Sequence, residues 1–362
     1  MYRYISFIVF VVLLNACSSE VGSKYRPKSP AFGKMNDIVV ICDKNVWESF
    51  IGDTFSYYYE SAFPVMTQPE AIFDLRHMTS EEVMADDLKK QLRTFIVLAN
   101  LGDANSPTSK WVGEDMGADK KSKAMADTSF FSSVGTDKWA KGQLIVYLFG
   151  KDLNALTQSI VKTFPAVAKR IQEHDKAQLE ANVYSHKNNN EGAQQQLIRD
   201  YGLDIKIPAD YVKSPLKSDF TWYRKDFNGM SQHLIFARKK YASPSDLSKA
   251  ALLAWRDELT KSIEGSVKGS FMKTNAVDLP VYEYAYQLNS SYTKELRGIW
   301  EMENDFMGGP FFNYTLLNAA TNEIIMIDAF VFAPGKEKRD YMQQLDHIVK
   351  TARLVASKPT GK

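Results

Sequence analysis

Up to about residue 150 the chain alternates short apolar runs with stretches of helical spacing. Asp37-Ile-Val-Val-Ile-Cys42, Ala71-Ile-Phe-Asp-Leu75, Phe95-Ile-Val-Leu-Ala99 and Gln143-Leu-Ile-Val-Tyr-Leu-Phe149 are bounded by polar residues, the pattern of buried strands. Asn45 stands where it would cap a helix running through Tyr59, with Trp47, Phe50 and Ile51 on one face. Thr79 with Glu82 three residues on is a capping box, predicting a helix to Leu92. One helical segment per strand implies an α/β sandwich. Residues 102–141 interrupt this order with glycines and runs of Lys, Asp and Ser. They also carry Trp111, Phe130, Phe131 and Trp139, too many aromatics for disorder, so they read as an insertion partly packed on its domain. From Asp152 to about residue 181, Leu153, Leu156, Ile160, Val161, Phe164, Val167 and Ile171 recur at helical spacing, and Pro165 predicts a kink or a split. The polar stretch 174–196 predicts a solvated helix or a hinge.

Beyond Leu203 the period changes. Residues 220–225 and 233–238 form a candidate hairpin around Asn228-Gly229, a favoured dipeptide for tight hairpin turns. An amphipathic helix follows at 245–264, carrying Leu247, Ala251, Leu252, Trp255 and Leu259. Residues 281–288 alternate, 312–317 and 324–332 flank a turn at 318–322, and 336–354 is a terminal helix. Sequential hairpins with two long helices imply an antiparallel sheet with helices on one face. The fold class expected is α+β: two α/β-sandwich-like domains, the second with a mainly antiparallel sheet covered by helices. The boundaries expected are 36–200, with the insertion near 102–141, and 201–356.

The stretch 297–312 organises the second domain. It reads as an alternating strand that breaks at Gly308-Gly309-Pro310 and resumes as a second apolar strand. Alternation puts Gly298, Trp300 and Met302 on one face and Arg297, Ile299, Glu301 and Glu303 on the other. Residues two apart on a strand have Cα atoms roughly 7 Å apart on one face. That spacing suits the carboxylate pair of an inverting glycosidase; Glu301 and Glu303 are equally read as two solvated carboxylates. Asp328 interrupts an apolar strand, where a carboxylate is costly unless paired. The candidates are a salt bridge to Arg297, a wet-face position, or a binding site. Gly308 and Gly309 read as a connector needing unusual φ, or as a close backbone approach to a ligand. Tyr57, Tyr58 and Tyr59, and Tyr282, Tyr284 and Tyr286, offer stacking surfaces for sugars or ordinary packing.

Five scattered histidines, His77, His174, His186, His233 and His347, show no metal spacing. HExxH, GxSxG, Walker A and CxxC are absent, so no motif requires a cofactor, a metal or a catalytic residue. A formal charge of +2 and 44% hydrophobic residues over 362 positions describe an ordinary globular chain, with nothing pointing to nucleic acid.

The N-terminus changes the picture most. Arg3 precedes an apolar run at 5–14 broken only by Ser6, about half of the roughly twenty residues a membrane span needs. That is the size of a signal-peptide core. Leu14-Asn-Ala-Cys17 resembles the bacterial lipobox, which implies cleavage after residue 16 and a diacylated Cys17 tethered through 17–35. Two acyl chains anchor a protein stably where one does not. With the Cys17 sulfur in a thioether, Cys42 is the one thiol left, and no internal disulfide can form. Cys17 in its lipobox, Trp139-Ala-Lys-Gly-Gln143, Arg297-Gly-Ile-Trp300 and Asp305-Phe-Met-Gly-Gly-Pro-Phe311 together resemble an uncharacterised lipoprotein family of Bacteroidetes, a domain-of-unknown-function group. The resemblance implies an envelope lipoprotein and carries over no catalytic residues. Glu20 is the one acidic residue just after Cys17, which favours the periplasmic face of the outer membrane over surface export. The expectation is a non-enzymatic binding or accessory protein for an envelope protein or glycan. The alternative is a hydrolase on cell-wall or other glycans using Glu301, Glu303 or Asp305.

Overall fold

A computed structural model of the chain describes residues 27–127, 129, 131–185, 189–216 and 219–355. Cys17, the apolar run before it and His186 lie outside the described residues. The chain forms two compact units. One comprises the described residues up to Tyr58 with Asp74–Ile171; the other comprises Tyr59–Phe73 and the described residues from Gln172 onward. The first unit ends at Ile171, and an early segment, Tyr59–Phe73, goes with the second unit.

The first unit is built on strands β1 (Asp37–Ile41), β2 (Asp74–Met78), β3 (Thr94–Asn100), β4 (Ser132–Thr136) and β5 (Leu144–Gly150). Their order is β2-β1-β3-β5-β4, parallel except for β4, which pairs antiparallel with β5. β5 and the centre of β3, Phe95 to Ala99, are continuously apolar because both of their faces are buried, as is usual for parallel sheets. Val39, Phe95, Val97, Ile145 and Phe149 face one core, shared with Val112 and partly buried Trp111 and Trp139. Between the strands run α1 (Lys44–Trp47), α2 (Phe50–Tyr59), α3 (Ser80–Met84), α4 (Asp87–Lys90), α5 (Pro107–Met116) and α6 (Ala118–Ala126), and α7 (Leu153–Val183) follows β5.

Several expectations shift here. The Thr79–Glu82 capping box forms, but α3 stops at Met84, and Asp86 caps a separate α4 through the amides of Leu88 and Lys89. Asn45 lies inside α1 rather than capping it. The insertion 102–141 is folded into α5, α6 and β4. Pro165 lies inside α7 without splitting it. The neighbouring turns bury Ile160, Val167 and Ile171, and that packing outweighs one lost backbone bond. The segment expected to be tether is paired by its end: Pro30 and Phe32 bridge to Lys141 and Leu92, and the Ala31 amide donates to Lys141 O.

The second unit holds an eight-stranded antiparallel sheet, β10-β12-β13-β14-β9-β8-β7, with β11 also paired to β12. The strands are β7 (Val212–Lys213), β8 (Thr221–Phe227), β9 (Met230–Lys240), β10 (Phe271–Asn275), β11 (Tyr282–Leu288), β12 (Ser291–Glu303), β13 (Gly308–Asn318) and β14 (Glu323–Phe332). A small pair, β6 (Leu203–Asp204) with β15 (Arg353–Leu354), stands apart. Helices cover both faces, not one. On one face α8 (Glu191–Tyr201) and α10 (Arg339–Val349) bring Leu197, Met342, Leu345 and Ile348 against Phe236, Phe312, Tyr314 and Ile327. On the other, α9 (Lys249–Thr260) brings Leu252 and Trp255 into the core of Leu296, Trp300, Phe311 and Phe330. Coverage on both sides is why β13 and β14 are buried along nearly their whole length, with Asn313, Thr315 and Asp328 as polar interruptions.

Segment Tyr59–Phe73 joins this unit through Met66 and Phe63, which pack in its core, and through the carboxylate of Glu70. Glu70 accepts the Lys338 amide at 2.8 Å and the Arg339 amide at 2.6 Å, while the Arg339 guanidinium donates to Ala71 O at 2.7 Å. An anion on the free amides of a helix start is favourable both as a hydrogen-bond acceptor and against the helix dipole. With Ala71 and its neighbours engaged there, β2 begins at Asp74, three residues later than the apolar pattern suggested.

Candidate functional site

β12 and β13 carry the residues that the sequence singled out. The break between them lies at 304–307, not at Gly308-Gly309-Pro310: Asn304 takes the left-handed conformation at φ 62°, and the Met302 amide donates to Met307 O at 2.8 Å. Asn tolerates that conformation because its short polar side chain bonds locally. Gly308, Gly309 and Pro310 are strand residues opposite Glu301, Trp300 and Ile299. The reason for glycine at 309 is space. A Cβ there would stand 2.1 Å from Val331 O and 3.0 Å from the Trp300 indole nitrogen. Pro310 is tolerated because β14 pairs with β13 only from Phe311 on.

Facing follows the alternation. Trp300 and Met302 lie in the α9-side core, and a side chain on Gly298 would collide with Phe311. Glu301 and Glu303 are half-exposed on the opposite face, where Lys273 of β10 bridges them, 3.2 Å from Glu301 and also bonded to Glu303. Glu301 also accepts from Asn275 at 2.8 Å. The bond to Glu303, then that to Glu301, raises the Lys273 ammonium pKa above its ordinary value. Asp305 is a loop anchor. It accepts from the Ser266 amide at 2.6 Å, the Ser266 hydroxyl at 2.7 Å and the Val267 amide at 3.1 Å. The Ser266 hydroxyl bond comes first among the causes that hold its carboxyl below the usual range.

Asp328 is buried and paired, but not with Arg297. Its partners are Arg256 of α9 and Asn313, each at 2.9 Å, and the guanidinium lies 3.8 Å from the Phe311 ring centre. Parity excludes Arg297: Asp328 stands opposite Asn313 and Asn313 opposite Leu296, so Arg297, one residue on, points to the other face. Arg256 was missed although its signal was present, a lone charge inside the stripe Leu252-Trp255-Leu259.

On the other face, Arg297 joins a second cluster. It bonds Glu295, stacks 4.4 Å from the Phe312 ring centre and approaches Asp346 of α10 at 3.9 Å. Tyr286 donates to Glu295 at 2.7 Å, and Tyr314 donates to Asp346. Burial, then the Asp346 charge, pushes the Tyr314 phenol up, so it stays a donor. Beside this cluster Tyr282, Tyr284 and Tyr286 share one face of β11 opposite Arg297, Glu295 and Thr293. Tyr282 and Tyr284 are 47% and 43% exposed, enough surface to meet a ligand. The other trio divides: Tyr57 is exposed, whereas Tyr59 is buried.

The first unit offers one further place, which sequence reasoning overlooked. In a sheet ordered β2-β1-β3, the crevice beyond the carboxyl ends of β1 and β3 is where α/β folds bind ligands. Here the protein's own carboxylate fills it. Asp43 accepts from the Ser106 hydroxyl, the Thr108 hydroxyl at 2.6 Å and the Thr108 amide at 3.2 Å, at the start of α5. No group of three or more metal-ligating side chains occurs among the described residues.

His233 shows what burial does to a titrating group here. It stacks 4.3 Å from the Phe330 ring, accepts from the Trp222 indole at 3.1 Å and lies 2.7 Å from the Ser231 hydroxyl. Burial, then Arg224, lowers its pKa to about 3. The unfolded chain takes up this proton near pH 6.5 and the folded chain only near 3, so stability is lost as pH falls below 6.5. Each pH unit in that window is worth up to about 1.4 kcal/mol. Urea unfolding at pH 7 and pH 5 should differ by about 2 kcal/mol from this residue alone. His233→Gln should remove that share of the difference; an identical pH dependence in the variant would contradict it.

The fold and its clusters define a mixed α+β protein of two units, one parallel-rich and one antiparallel. Two stretches of the chain match families of unknown function: residues 31–184 match the model Domain of unknown function (DUF8532), and residues 190–351 match Domain of unknown function (DUF4837). Among solved structures the chain is similar to the Ran-binding protein Mog1p of Saccharomyces cerevisiae, at 14% identity over 43% of this chain and 93% of that one, with TM-score 0.30. It is also similar to a point mutant of Mog1, at 13% identity over 43% and 92%, with TM-score 0.27. No curated protein matches the chain.

Proposed function

We propose that this chain is an envelope lipoprotein of the Bacteroidetes type, anchored through Cys17 in the outer membrane and facing the periplasm, that works by binding a glycan. The observation that carries the binding reading is the tyrosine row of β11, two of its rings exposed beside Arg297 and Glu295. Tyrosine joins a flat apolar ring to a polar tip, and binding surfaces are enriched in it. Sugar rings present apolar C–H faces to such rings and hydroxyls to neighbouring charged groups. The hydrolase alternative has less support. Of its three carboxylates, Glu301 and Glu303 share Lys273, and Asp305 holds a loop. None of the helices among the described residues is long and apolar enough to cross a membrane.

The test uses the lipidated protein and purified peptidoglycan sacculi from the same cells. Wild type is expected to co-sediment with the sacculi. Tyr282→Ala with Tyr284→Ala should lower the bound fraction at least tenfold while the unfolding midpoint stays unchanged. Equal binding by the variant would remove the tyrosine row from the function. Fatty-acid labelling of Cys17→Ala tests the anchor separately, and label as strong as in wild type would refute it.

A further inference from the structure

β11 is an open sheet edge with little protection. It pairs with β12 along one side, and residues 282–285 and 287 are exposed on both faces of the strand. Folded proteins blunt such edges with proline, charged side chains (lysine above all), a bulge or a very short strand, and of these β11 has one charge, Glu283. The far edge of the same sheet, β7, is two residues long, and β10 carries Lys273 with α9 packed against it. β11, Tyr-Glu-Tyr-Ala-Tyr-Gln-Leu, is seven residues with no proline and no lysine. Its register with β12 runs unbroken from Tyr282 opposite Arg297 to Leu288 opposite Ser291, so it has no bulge. α10 lies over β13, β14 and β9.

We propose that β11 pairs antiparallel with β11 of a second copy of this chain, about a two-fold axis through Ala285. The sequence of the strand selects both occupant and register. An axis at Ala285 is the one that pairs all seven residues, and it sets Glu283 against the second copy's Gln287, with no like charges opposed. An axis at Glu283 would oppose two carboxylates, which is destabilising. With the axis at Ala285, Tyr284 faces the second copy's Tyr286 twice, and aromatic cross-strand pairs are among the stabilising ones. A two-fold contact also closes on itself: each copy consumes the other's edge, so an open edge strand need not lead to fibres. Tyr282, Tyr284 and Tyr286 of both copies then form one aromatic strip across the boundary. Pairing is read without any glycan, so its failure and that of the binding reading are separable.

The experiment is cross-linking of the full chain in its membrane with a short bismaleimide. Cys42 is buried and silent to the reagent. Ala285→Cys puts two thiols side by side at the axis, whereas Glu283→Cys puts them about 13 Å apart along the strand. Val277→Cys, at a position 94% exposed, reports random collision. Most Ala285→Cys chains should migrate as a dimer, while the other two stay monomeric. The proposal is overturned if Ala285→Cys stays monomeric, if it cross-links no better than Val277→Cys, or if it is captured by a different protein. Light scattering of the uncross-linked chain in detergent gives a second readout. Its mass should be that of a dimer and should halve when Tyr284→Lys and Tyr286→Lys are combined; an unchanged dimer in that variant would place the contact elsewhere.

Discussion

Arg256→Ala is expected to destabilise the second unit by about 3–5 kcal/mol, the range for removing one partner of a buried ion pair. The guanidinium is fully buried, and Asp328 is 1% exposed. With Arg256 gone, the carboxylate keeps Asn313 at 2.9 Å and nothing of opposite charge at contact distance. Part of the loss is packing, because the guanidinium covers the Phe311 ring. The double variant Arg256→Ala with Asp328→Ala separates the two contributions. If the unpaired charge dominates, the double variant should be no less stable than Arg256→Ala alone, a non-additivity of the kind expected for residues in contact. Urea midpoints of the three proteins decide it. A loss below about 1 kcal/mol for Arg256→Ala would mean that water or another group reaches Asp328.

The same pair shows where the sequence was legible and where it was not. Alternation on β12 placed Trp300 and Glu301 on opposite faces without any structure, because a two-residue period leaves no other choice. The β8–β9 hairpin was legible from Asn228-Gly229, whose φ values of 47° and 75° are what a tight hairpin turn needs. The partner of Asp328 was not, since nearness along a neighbouring strand says little when parity sends the two side chains to opposite faces. Arg256 comes from a helix 72 residues away. The insertion 102–141 hid its helices for a local reason. Ser106 followed by Pro107 is a helix start, but Gly113 and Gly117 weaken the pattern behind it. Glu70 and Asp43 look like ordinary surface carboxylates in sequence. Their roles arise because distant helix starts, at Arg339 and Pro107, are brought to them.

Trp300→Ala should destabilise the second unit by about 3–5 kcal/mol, as deletion of a buried large aromatic does. Trp300 is 2% exposed and meets Phe330 edge-on at 5.5 Å and Phe332 at 6.3 Å. Its indole nitrogen has no hydrogen-bond partner, so the residue acts through packing alone. Trp300→Phe should therefore recover much of the loss, since no hydrogen bond goes with the indole. Gly309→Ala should approach the effect of Trp300→Ala from the other side, because the added methyl would stand 2.1 Å from Val331 O and push on the same ring. Glu301→Gln and Glu303→Gln, half-exposed on the opposite face, should each shift stability by roughly half a kcal/mol or less. The contrast is the test: urea midpoints should drop sharply for Trp300→Ala and Gly309→Ala and scarcely move for the two glutamates. A neutral Trp300→Ala would mean that the indole is solvated, and β12 would then present its aromatic face to a partner rather than to α9.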